Sequence, residues 1–142
     1  MMKLFLSILI FSTFCIASGC TYEQPFSEST VKNIQLCEQL YDESSCFNDR
    51  LWFHSSATQI VFSARMTNVN EKMIVKVSWY CQSLEMKEIY TRTIRVQSGP
   101  TASVVSVFPR PAQGWVEGEY MVKLDYMFEE RASVMKEFVI EK

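Results

Sequence analysis

The chain has 142 residues, a formal net charge of −2, and is 48% hydrophobic and 21% charged. Once an apolar leader is set aside, about 120 residues remain, enough for one domain with its own core and too few for two. The small net charge and the lack of any Lys/Arg cluster exclude an electrostatic case for nucleic-acid binding or for a polybasic membrane patch.

The first twenty residues read as an export signal. Lys3 supplies a positive start, Leu4 to Ile16 form an apolar run too short for a comfortable membrane span, and Ala17-Ser18-Gly19 lead into Cys20. Ala17-Ser18-Gly19-Cys20 resembles the bacterial lipobox. That resemblance implies a signal peptide over 1–19, lipidation (palmitate included) at Cys20, and an outer-membrane lipoprotein facing the periplasm or the surface. Thr21 after the cysteine fits outer-membrane sorting in that pattern. Ala-Ser-Gly is also an ordinary signal-peptidase site, so a soluble periplasmic or secreted chain starting at Cys20 is the alternative. None of Asn33, Asn48, Asn68 or Asn70 opens a glycosylation sequon, which favours a bacterial source.

Residues 20–32 are polar and read as a tether. Val31, Ile34, Cys37 and Leu40/Tyr41 then recur at helical spacing, so a short amphipathic helix is expected over 30–41, capped by Thr30 or Ser29. Of the five cysteines, Cys15 lies in the leader. Export favours a disulfide among the rest, with Cys37–Cys46 the first choice and Cys46–Cys81 the rival. Their spacings match no usual zinc ligand set, and neither a metal site nor a cofactor is expected.

After Asp49 the pattern changes to alternation. Ile60, Phe62, Ala64 and Met66 share a face in 58–67, as do Met73, Val75, Val77, Trp79 and Cys81 in 72–82. Tyr120, Val122, Leu124, Tyr126 and Phe128 align in 119–128. Weaker strands are expected at 87–97 (Ile94/Val96) and 102–108 (Val105/Val107), and a last one at 132–140. With turn signals at Asn68-Val69-Asn70, Ser98-Gly99-Pro100 and Pro109-Arg110-Pro111, the chain predicts a mainly β domain over 33–142. The expected architecture is an antiparallel sandwich of about six or seven strands with one short N-terminal helix. A three-residue hairpin at Glu129-Glu130-Arg131 would set Lys123 opposite Glu137 and Lys136 opposite Leu124.

Gly114-Trp115-x-x-Gly118-x-Tyr120-x-Val122-x-Leu124, with Phe138-x-Ile140 near the terminus, resembles the closing hairpin of bacterial immunoglobulin-like or fibronectin-like accessory domains. Val75-x-Val77-x-Trp79 matches their central tryptophan strand. The resemblance covers roughly 58–142 and implies an architecture that hosts unrelated functions.

His54 is the single histidine, and nothing beside it supplies a nucleophile or an orienting carboxylate motif, so no catalytic residue is assigned. Glu129-Glu130 reads as a solvated hairpin tip, and Trp115 as packing over the end of the sandwich. Leu51 and Phe53 are expected in the core, with His54 partly exposed. Candidate interaction residues are Met121, Met127, Met135 and Val139 on the polar face of the closing strands, either open as an adaptable apolar patch or covered by the helix. Trp52 and His54 are further candidates. The expected function is a non-catalytic binding or assembly module of the bacterial envelope, held to the membrane by its lipid and engaging another envelope protein. The alternative is a soluble binder or inhibitor acting through the Trp52-Phe53-His54 and Pro109-Arg110-Pro111 segments.

Overall fold

The computed structural model describes residues 30–70 and 73–142; the expected leader, Cys20 and the expected tether up to residue 29 lie outside them. Eight strands run in chain order: β1 (Thr30–Cys37), β2 (Trp52–His54), β3 (Gln59–Val69), β4 (Ile74–Cys81), β5 (Lys87–Arg95), β6 (Gly99–Pro109), β7 (Gly118–Tyr126) and β8 (Val134–Glu141). A single 3₁₀ turn, Gln82–Leu84, lies between β4 and β5. The strands form a three-stranded sheet, β1-β3-β6, and a five-stranded sheet, β2-β8-β7-β4-β5. All described pairings are antiparallel except that of β2, which joins β8 in parallel.

Alternation produces this arrangement. Ile60, Phe62, Ala64 and Met66 of β3 meet Met73, Val75, Val77, Trp79 and Cys81 across the space between the sheets, all buried. Trp79 sits at the centre, its ring 5.4 Å from Phe108 and 5.9 Å from Phe138, and its indole N–H donates to Ser106 Oγ at 3.2 Å. On β7 the hydroxyl of Tyr120 donates to the carbonyl of Val116, four residues upstream. A tryptophan on the third long strand, a tyrosine corner on the penultimate one and two packed sheets make this an immunoglobulin-like sandwich.

Eight strands stand where about six or seven are expected, and four further details differ from the sequence expectation. Residues 30–41 contain no helix: β1 begins at Thr30, so the last three residues of the expected tether are strand. The helical spacing of Val31 and Ile34 comes from a β-bulge. Lys32 pairs with Arg65 but Gln35 with Ser63, so one extra residue is inserted, and Asn33 adopts φ 51° there. The bulge turns a two-residue apolar repeat into three, with Val31, Ile34 and Leu36 all facing the core.

The last hairpin is shifted by two residues. Lys123 faces Met135, not Glu137, and Lys136 faces Val122, not Leu124. A shift of two leaves every side chain on its expected face, because strand periodicity is two. Lys136 therefore does point inward, and its amine reaches Asp49 at 2.8 and 3.0 Å and the Ile34 carbonyl at 3.0 Å. Lys123 pairs instead with Asp125, at 3.1 Å. The strand ends at Tyr126, and Phe128 is exposed at φ 64° rather than continuing the inner row.

On β6 the inward residues are Val104, Ser106 and Phe108, so Val105 and Val107 belong to the opposite face. They are apolar for a separate reason. Cys37 and Cys46 are bonded, with Cα atoms 5.6 Å apart, and the loop they close folds over the outside of the small sheet. Cys37, Cys46 and Val61 form a second buried cluster there, with Leu40, Val105 and Val107 against it. Ser63 anchors the loop by donating to the Ser44 carbonyl. Cys81 is a buried free thiol, which removes the Cys46–Cys81 alternative.

Replacing Cys37 and Cys46 together by alanine is expected to lower unfolding free energy by about 2–3 kcal/mol, the loop-closure value for a link of this length. Tyr120→Phe is expected to cost about 1–2 kcal/mol by leaving the Val116 carbonyl without its donor. Urea unfolding of each variant measures both.

Candidate functional site

The outer face of the five-stranded sheet holds the residues the sequence singles out. Met121 lies between Glu137 of β8 and Tyr80 of β4 and is buried. Met135 is 57% exposed beside Lys123. Val139 stands between Glu119 and Trp52. Met127 lies past the end of β7, its amide bonded to the Ile74 carbonyl at 2.9 Å. Met121, Met135 and Val139 share this face, but rows containing Lys123, Glu137 and Glu119 separate them, so they do not make one apolar patch. The expected covering helix is absent, its residues forming a strand of the other sheet.

Charge is locally matched on this face. Burial pushes the Asp125 carboxyl up, but the Ser133 hydroxyl and the neighbouring Lys123 and Lys76 outweigh it and hold the group below its ordinary range. Tyr80 donates to Glu88, and Gln82 donates to Glu137.

Trp52, Phe53 and His54 form the edge strand β2 rather than a loop. Phe53 is buried, its ring 5.6 Å from Phe138. Trp52 points outward and donates from Nε1 to Glu141 at 3.0 Å. His54 is exposed, with Nδ1 accepting from the Ser56 amide at 3.1 Å and lying 2.6 Å from its hydroxyl. Leu51, expected in the core, is 55% exposed.

Two further features stand out, one that the sequence does not single out and one whose Pro109-Arg110-Pro111 rim it does. The first is the free edge of β6, which pairs with β3 on one side only. From Gly99 to Pro109 it carries no charged residue and extends over eleven residues. The signal was present as an uncharged β-branched run between two prolines, but its place at an edge is a matter of topology.

The second is a cavity of about 580 Å³ at one end of the sandwich. Cys81, Phe108 and Tyr120 lie at its buried side, and Leu84, Val116 and Arg110 at its exposed rim. Trp115 closes the adjacent end of the core as expected. Its ring lies 4.9 Å from Phe108, and its Nε1 donates to the Ala57 carbonyl at 2.6 Å. Burial, and then the nearby Cys81 thiol, push the Tyr120 hydroxyl well above its ordinary value despite its bond to Val116. Gly114, at φ 85°, turns the rim segment with its amide on the Pro111 carbonyl, and the Arg110 guanidinium lies across it. A side chain at Gly118, at φ 132°, would overlap the Ser83 hydroxyl, so this glycine lets the 3₁₀ turn dock on β7.

Asp125→Asn is expected to cost about 1 kcal/mol or less near neutrality. A carboxyl depressed in the folded state contributes its stability above the unfolded value of 3.8 and loses it as pH falls through the folded one. The gap between wild type and variant should therefore close below that pH in parallel urea titrations. Comparison of the chain with protein-family models and with curated proteins finds no match.

Proposed function

We propose that this chain is a non-catalytic exported lipoprotein, acylated at Cys20, that acts as a protein-binding or assembly module of the bacterial envelope. It engages its partner by strand addition at the free edge of β6. The supporting observation is the contrast among the four sheet edges.

Proteins usually blunt exposed strand edges with charge, bulges, proline or brevity, because unpaired backbone groups template further strands. The edge strand β1 carries a bulge and Lys32, and β2 is three residues long. The edge strand β5 carries Lys87, Arg92 and Arg95 and meets β4 with a register shift. On β6 the only blunting residues are Pro100 and Pro109 near its ends, and residues 101–108 (TASVVSVF) are uncharged. An extended segment of another envelope protein laid along this edge gains main-chain hydrogen bonds for affinity, with the alternate side chains of β6 supplying specificity.

A photo-crosslinking amino acid at position 103 in the native host is expected to give an adduct with one defined envelope protein, and the same label at Arg92 on β5 is not. Thr101→Lys, at an exposed position, should leave thermal unfolding unchanged and reduce the position-103 adduct at least about tenfold by placing charge on the edge. An adduct unaffected by the lysine would defeat strand addition. Intact mass of the host-purified protein tests the anchor: the expected species begins at Cys20 and carries acyl mass, whereas an unmodified Cys20 would make the chain a soluble exported module.

A further inference from the structure

The cavity at the end of the sandwich has a composition that specifies a ligand, and it is separate from the edge reading above. Its buried side is thiol, phenyl and phenol, and Leu84, Ile89 and Val116 supply aliphatic wall. The described residues lining it include no carboxylate. One permanent charge stands there, the guanidinium of Arg110. It is exposed, it lies over Gly114 with Nη2 3.5 Å from where a Cβ would stand, and no ion pair holds it among the described residues.

The segment from Pro109 to Gly114 is built to keep that geometry. The Arg110 amide is fixed on the Thr58 carbonyl at 2.9 Å, and the Gly114 amide on Pro111 at 2.8 Å. Residue 114 is glycine because of its positive φ, and the Arg110 side chain lies within van der Waals range of it. The volume falls within the span of roughly 300–1,000 Å³ typical of small-molecule sites, which are mainly apolar with few oriented polar groups.

We propose that this cavity binds an aliphatic carboxylate, its hydrocarbon chain between Leu84, Ile89, Val116 and Phe108 and its carboxylate on the Arg110 guanidinium. The apolar wall supplies affinity by removing methylenes from water. Arginine adds direction, because its two parallel N–H groups match a carboxylate and its charge is permanent. A cationic or neutral chain of equal length gains the first contribution and not the second.

The purified protein is titrated calorimetrically with dodecanoate, dodecyltrimethylammonium and an apolar peptide with a free C-terminal carboxylate. A diazirine-bearing dodecanoate is then photolysed on the protein and its adducts are mapped by mass spectrometry. Expected are one saturable dodecanoate site per chain, at least about tenfold weaker binding of the cation, and adducts confined to residues 84–89 and 108–116. Arg110→Gln, an exposed position, should weaken dodecanoate at least about tenfold with thermal unfolding unchanged, and Val116→Trp should block it by filling the cavity. Equal affinity for the cation, unchanged binding to Arg110→Gln, or adducts scattered over the surface would overturn the proposal. Tighter binding of the peptide than of dodecanoate would overturn the ligand class.

Discussion

The indole of Trp79, buried between the sheets with its N–H on Ser106, is the contact around which the domain is organised. It comes from the five-stranded sheet and its hydrogen-bond partner from the three-stranded one, so a single side chain fixes their separation and lateral register. A large buried apolar side chain contributes roughly 1.5–3 kcal/mol, and aromatic neighbours extend the contact to both ends. Phe138 stacks on Tyr120, Tyr120 meets Trp115 edge-on, and Trp115 meets Phe108, which returns to Trp79. The satisfied N–H matters as much as the area, since an orphaned donor at this depth would cost about 1–3 kcal/mol.

One open side of the sandwich is closed by charge. Asp49 accepts the Leu36 amide of β1 at 2.9 Å and the Lys136 amine of β8. Lys136 points from the inner face of β8 toward the sandwich margin, so its methylenes cover apolar surface while its amine leaves the core. The opposite side, between β5 and β6, has no such clasp among the described residues. The rings of Tyr90 and Phe108 stack there, 5.3 Å apart, so this margin is closed by aromatic contact, and the cavity and the uncharged edge of β6 lie beside it.

Most of the fold is legible in the sequence because each long strand has one wet face. Met73 to Cys81 and Tyr120 to Leu124 alternate cleanly, and the short interval between Cys37 and Cys46 makes that pair the first choice for the disulfide. Failure occurs where another device imitates or masks the period of two. The bulge at Asn33 gives Val31 and Ile34 helical spacing, and the disulfide loop makes Val105 and Val107 apolar on the side facing away from the core. The hairpin register depends on where β7 stops, and alternation cannot distinguish a shift of two. Less of the candidate surface was readable. Methionines on one face do not touch unless their cross-strand neighbours allow it, and a free edge or a cavity exists only once strands are ordered in space.

The loop closed by Cys37 and Cys46 gives the small sheet a second layer, burying Val61 from the outside while Phe62 and Ile60 are buried from within. The outer layer has few apolar residues and relies on its covalent link. In a reducing medium the loop can lift from Val61, Val105 and Val107, and a hydrophobic stripe opens beside the uncharged edge of β6. Cohesion of that layer is thus tied to the thiol chemistry of the surroundings. The aromatic interior, whose one free cysteine takes no part in a cross-link, keeps its packing under either condition.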